Sequence, residues 1–133
     1  MFAAVFVLLY IAHLAADYPL QTDAQSAHKA GPGLTGWRAN LTHASIHAAS
    51  YLVLLFGGGA LLHLHLGVGL VLGAVAWVSG LHAFIDRRWP ITWWMDHTGQ
   101  AGFRANGGAQ HVDQVAHLAL GILPAALAMA ALT

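Results

Sequence analysis

Four apolar runs constrain this chain more than any other feature: Phe2 to Tyr18, Leu41 to Phe56, Leu62 to Ile85 and Val115 to Leu132. Each approaches the ~20 residues that a helix needs to cross a bilayer. With 58% hydrophobic and 8% charged residues, against roughly 25% charged in an ordinary soluble domain, the chain lacks the polar residues to cover a water-facing surface. The expected fold class is therefore all-α: an integral membrane four-helix bundle, antiparallel, with helices at about 2–18, 41–57, 62–86 and 112–132. Residues 1–133 read as a single transmembrane domain. The first, second and fourth runs are short, so local thinning of the bilayer or burial of their polar ends is expected.

All five cations lie in two connections: Lys29 and Arg38 in the first, Arg87, Arg88 and Arg104 in the third. The positive-inside rule turns those connections to the cytoplasm and leaves both termini outside. No Lys or Arg precedes Lys29, so the basic region of a cleaved signal is missing and the first helix is read as retained. Trp37, Trp89, Trp93 and Trp94 flank the predicted spans on the basic side, as interfacial anchors do, and the stretch Trp89 to Met95 is a candidate surface-lying segment. A formal net charge of zero provides no basic field for nucleic acid. The absence of cysteine excludes disulfides and thiolate chemistry and leaves any metal to N and O ligands.

Ten histidines in so apolar a chain need an explanation, because an imidazole in hydrocarbon must be bonded, paired or ligated. Four pairs stand out: His13 with Asp17, His43 with His47, His82 with Asp86, and Asp113 with His117. Each is spaced i, i+4, which sets both side chains on one helix face within roughly 6 Å. The pairs end the first and third helices and begin the second and fourth, so all eight residues are expected at the cytoplasmic side at similar depth. The chain also reads as duplicated. His13-x3-Asp17 followed by His43-x3-His47 parallels His82-x3-Asp86 followed by Asp113-x3-His117, and two such hairpins related by an axis along the membrane normal would bring the four pairs together.

Three Asp and five His supply more ligands than one tetrahedral ion uses, and helical bundles that hold two metals use a similar density of inward carboxylates and imidazoles. The expected cofactor is a divalent metal, one or two ions, with zinc, manganese and iron all suited to such ligands. Two ions would bring four positive charges against three carboxylates, leaving one for a bridging hydroxide. A metal-free Asp/His network that fixes helix register uses the same residues, as does a proton or ion pathway.

Four other features are read alongside. Gly69, Gly73 and Gly80 form a small-residue stripe that admits another helix, inside the bundle or across a homo-oligomer face. Pro124 should bend the last helix slightly, with neighbouring groups satisfying the freed carbonyl. His28, His63, His65 and His97 read as solvated surface residues. His111 is a candidate partner orienting Asp113.

The segment His13-Leu-Ala-Ala-Asp17-Tyr18-Pro-Leu20-Gln21-Thr22-Asp23, with Lys29 following, resembles the N-terminal signature of a family of bacterial and phage integral membrane proteins catalogued as DUF3307, a domain of unknown function. Leu41-x-His43-x3-His47, the His82/Asp86 pair and Asp113-Gln114-x2-His117 match its later motifs in the same order. The resemblance implies a multi-helix protein of a bacterial or phage-encoded inner membrane with polar intramembrane motifs, and no activity. This chain departs from the pattern at Arg87-Arg88 and at the Gly-rich stretch through Gly107-Gly108.

The leading expectation is a metal-dependent hydrolase in which activated water attacks an ester or phosphoester at the inner leaflet. Gln21, Lys29 and Gln114 would contact substrate, Lys29 taking an anionic head group, and Asp23 would transfer the proton, with turn and cap roles open for Gln21 and Asp23. Membrane lipid is the expected surrounding and a lipid or phosphoester the expected substrate. A metal-ion or proton transporter and an accessory subunit with a structural polar core are the alternatives.

Overall fold

The computed structural model describes residues 1–133 and is all-helical. Helix α1, Phe2–Asp17, stops where Pro19 brings no N–H to continue the ladder, and the Ala15 carbonyl accepts from Leu20 N at 3.1 Å instead. Within the first connection lies a short helix, α2, Asp23–His28, started by a capping box. Gln25 N donates to Thr22 Oγ1 at 3.2 Å, and Thr22 N donates to Gln25 Oε1 at 3.0 Å, so two orphan donors of the first turn are satisfied reciprocally.

Helix α3 runs over Gly33–Leu61, with a π-helical segment at Leu54–Gly58. It begins at Gly33 rather than at the expected 41, because its first turns carry Thr35, Arg38 and Asn40 and show no apolar pattern. Gly36 is required here: a Cβ added to it would lie 1.8 Å from the carbonyl oxygen of Gly31, which packs directly on the helix. Helix α4, Val68–Ile85, starts later than the expected 62, after a turn in which His63 adopts φ 54°. Helix α5, Trp89–His97, is the segment expected to lie along the surface. Helix α6 spans Ala101–Ala131. It is kinked at Asn106 and Gly107, where Gly107 takes φ 86°, and it has a π-helical segment at His117–Ile122.

By length and composition, α3, α4 and α6 are apolar enough to cross a membrane, and α1 is a shorter apolar helix. Helix α1 packs on α3, α3 on α4, α4 on α6, and α6 back on α1. The ring encloses Val5, Leu9, Tyr51, Leu55, Val78, Ile122 and Met129. Ile85, Ile91 and Met95 form a smaller cluster that seats α5 against the bundle. Where lipid replaces water around such helices, close packing and interhelical bonds hold them together.

One such bond answers the expectation at Pro124. Proline cannot donate to the carbonyl four residues earlier, and that carbonyl, on Leu120, accepts instead from Trp77 Nε1 of α4 at 3.1 Å. The glycine stripe is settled as well. A Cβ at Gly69, Gly73 or Gly80 would meet nothing within 4 Å, and Gly69 and Gly73 border an open groove with Pro124, Ala125 and Ala128 of α6, so no helix packs closely on the stripe.

Candidate metal centre

The i, i+4 pairs converge. His13 and Asp17 occupy the last turn of α1, His43 and His47 the middle of α3, His82 the last turn of α4 with Asp86 capping it, and Asp113 and His117 a stretch of α6. All are buried except Asp113, which is half-buried. Asp17 is the hub of one half. Its Oδ1 lies 3.1 Å from both His43 Nε2 and His47 Nε2 and 3.7 Å from His82 Nε2, and its Oδ2 lies 3.2 Å from His13 Nε2. Asp86 is the hub of the other. Its Oδ2 is 3.1 Å from His82 Nε2 and 3.5 Å from His43 Nε2, and its Oδ1 is 3.9 Å from His117 Nε2.

Three groups of side chains could hold a metal ion, the atoms of each lying within 4.8 Å of one another: His13, Asp17, His47 and His82; His43, His82 and Asp86; and Asp86, Asp113 and His117. Together they contain the eight residues expected as ligands.

The hydrogen bonds say which ring atoms are free. His117 Nδ1 donates to the main-chain carbonyl of Asp113 at 3.0 Å. A carbonyl can only accept, so in the neutral ring the lone pair sits on Nε2. That atom is buried, has no hydrogen-bond partner, and faces a carboxylate. His82 Nε2 is likewise buried without a hydrogen bond although both hub carboxylates are near it. His47 Nδ1 lies 3.4 Å from the buried Tyr51 hydroxyl, whereas Nδ1 of His13, His43 and His82 has no partner.

Lys29 stands elsewhere than expected. Its Nζ lies 2.8 Å from Asp86 Oδ2, with 11% of the lysine side chain and 4% of the carboxylate exposed, so it is paired inside the cluster rather than free for an anionic head group. Arg87 secures it there, donating to the carbonyls of Lys29 at 2.9 Å and Gly31 at 2.7 Å while lying 4.5 Å over the Trp37 ring. Gln21 Nε2 donates to the Asp17 carbonyl at 2.8 Å. Gln114 bridges two ligand candidates, its Oε1 3.4 Å from His13 Nε2 and its Nε2 3.5 Å from Asp17 Oδ2. Asp23 is not brought to the cluster: it is exposed in the first turn of α2, where an acid suits the helix dipole.

A cavity of about 700 Å³ opens over this arrangement, lined among others by Asp17, Gln21, Lys29, Asp86, Asp113 and Gln114. His111 lines it too, exposed and stacked on Phe103, with no hydrogen bond to Asp113. His28 and His97 bond carbonyls of their own helices, and His63 and His65 are exposed. Sequence reasoning missed Asn40 and Tyr51. Asn40, fully buried, donates from Nδ2 to the Ala83 carbonyl at 3.0 Å and ties α3 to α4 beside the cluster; a polar residue just ahead of an apolar run was the available signal.

The chain matches the family described as "Protein of unknown function (DUF3307)" over residues 5–132. It belongs to that family. No curated protein and no solved structure matches it. In this DUF3307 member, then, the four i, i+4 pairs form one His/Asp cluster that could hold a metal ion.

Proposed function

We propose that the protein is a metal-dependent hydrolase, an antiparallel four-helix membrane bundle that acts on ester or phosphoester bonds at the inner leaflet. The observation that carries this reading is an imbalance of buried charge. Three carboxylates meet at the cluster, and Lys29 is the cation among them. With the imidazoles neutral two negative charges remain, one on half-buried Asp113 and one at buried Asp17, where an unneutralised carboxylate costs several kcal/mol. One divalent ion neutralises them, so the charge balance closes at one ion once Lys29 is counted inside. Imidazole lone pairs without donors, at His82 and His117, are the ligands such an ion takes.

When bound, a divalent ion lowers the pKa of a coordinated water and polarises the scissile group. The chain's own residues do the rest. Asp17 and Asp86 hold the imidazoles in place, Gln114 orients His13 and Asp17, and the cavity admits a substrate beside the ligands. Transport through the bundle is disfavoured, because Val5, Leu9, Leu55, Val71 and Met129 fill the ring beyond the cluster and are fully buried.

The test is elemental analysis of untagged protein purified in detergent without added metal, beside the double variant Asp17→Ala/His82→Ala. The expected result is about one equivalent of a transition metal in the wild type, as one neutralising ion requires, and none in a double variant that stays folded. A folded wild type that takes up no zinc or manganese on dialysis would leave the cluster a structural network and end the hydrolase reading.

A further inference from the structure

The cations on this side of the protein are not equivalent. Lys29 is committed to Asp86, Arg87 to two main-chain carbonyls, and Arg104 to Asp96 at 2.8 Å. Arg88 lines the cavity, is exposed, and has a guanidinium with no hydrogen bond and no ion pair. Its backbone is strained. Arg88 adopts φ 63°, ψ −33°, and Trp89 N donates to the Arg87 carbonyl at 2.7 Å, a γ-turn of the rare positive-φ hand. Glycine would make this turn without steric cost. A turn needed only to join α4 to α5 therefore gains nothing from arginine, whereas strain at a residue facing a cavity is the pattern of a side chain placed for use.

We propose that Arg88 is the anion ligand of a phosphate-ester site in this cavity. This rests on the hydrolase reading above and narrows its substrate from esters in general to phosphoesters. The guanidinium offers a planar fork of donors that matches two phosphate oxygens. With one divalent ion bound, the three carboxylates and Lys29 are neutral together, and Arg88 gives the cavity a net positive charge. A phosphoester remains anionic and uses that charge; a carboxylic ester is neutral and does not. The position of the mouth suggests where such an ester would come from. Helix α5 seats Ile91 and Met95 against the bundle and leaves Trp89, Trp93 and Trp94 exposed, and its Ile91 and Thr92 line the cavity. Exposed tryptophans of this kind sit at head-group depth.

The test uses the full chain in phosphatidylcholine nanodiscs loaded with zinc, comparing wild type, Arg88→Gln and Arg88→Gly. Zinc content is measured, and binding of inorganic phosphate is followed by calorimetry. Both variants are expected to keep their zinc and to bind phosphate about tenfold more weakly or worse, the cost of losing a charged hydrogen-bonding partner. Arg88→Gly is expected to unfold at a temperature no lower than the wild type, since the γ-turn is relaxed, which separates anion binding from a structural role. Competition by phosphatidic acid mixed into the disc, with none from glycerol phosphate in solution, would support the site with a bilayer ester as its source; the reverse would support it with a soluble one. Phosphate binding that is unchanged in Arg88→Gln with zinc in place overturns the anion site and leaves the metal reading standing. If the wild type takes up no zinc, the metal reading fails, and the anion site survives only where phosphate still binds and Arg88→Gln still weakens it.

Discussion

Asp17 ends α1 and Asp86 caps α4, each four residues after a histidine, yet their surroundings differ. Asp86 has the Lys29 ammonium at 2.8 Å, while Asp17 is bordered by His13, His43, His47 and His82 and by no Lys or Arg. Helices α1 and α4 supply similarly placed carboxylates, and the connection after α1 supplies a cation to the far one. The same histidine-to-aspartate spacing thus stands in two chemically distinct places, one with a cation supplied by the chain itself and one without. The largest expected effect follows from that difference. Asp86→Asn strands a buried ammonium and should cost about 3 kcal/mol of stability. Asp17→Asn in metal-free protein strands no fixed cation and removes an uncompensated buried carboxylate, so it should cost clearly less than Asp86→Asn and is not expected to destabilise. Denaturant unfolding in detergent compares them directly. Equal losses would mean that Lys29 serves both carboxylates and that the asymmetry is false.

The same contrast explains what could be read from the sequence. Spacing of four residues fixes which side chains share a helix face whatever the exact helix ends, so His13/Asp17, His43/His47, His82/Asp86 and Asp113/His117 could be grouped before any coordinates. Hydropathy could not give the helix starts. The first turns of α3 and the stretch of α6 before Val115 carry polar residues, Thr35 and Gln110 exposed, Asp113 half-buried and Asn40 buried against α4, so no apolar run marks them. Nor could it give the place of Lys29. Its burial depends on Arg87, far away in sequence, gripping the backbone on either side of Ala30. With Lys29 counted outside the cluster, one ion or two could be entertained; its pairing with Asp86 is what favours one in the reading proposed above.

A second difference between the halves lies behind the imidazoles. His117 Nδ1 is held by the main-chain carbonyl of Asp113, and His47 Nδ1 by the Tyr51 hydroxyl. A side-chain partner can be removed and a carbonyl cannot. Tyr51→Phe should weaken metal binding about tenfold, the low end of what such outer partners contribute, measured by competition with a chelator. Stability without metal should fall little, since the ring still fills its place in the core among Leu9, Leu55 and Ile122. Unchanged affinity would assign His47 to the carboxylate network and leave the ion to the Asp86 side.

The smallest expected effect concerns how α3 and α6 depart from α-helical geometry. In α3 the π-helical segment begins at Leu54, beyond both histidines, whereas in α6 it begins at His117 itself. A ligand at the start of such a segment has its direction set by a local widening of the helix, and π-bulges are frequent at functional sites for that reason. The segment in α6 is followed by Pro124, and its Leu120 carbonyl is satisfied by Trp77 across the helix interface. Trp77→Phe keeps the aromatic volume and removes that donor. The expected cost is about 1 kcal/mol, the usual size of a hydrogen bond between membrane helices, seen as a lower unfolding temperature. Metal content should stay at the wild-type level if the widening alone aims His117. Should the variant lose metal while remaining folded, the indole would be what holds α6 in register for its ligand, and the second hairpin would depend on a contact for which the first has no counterpart.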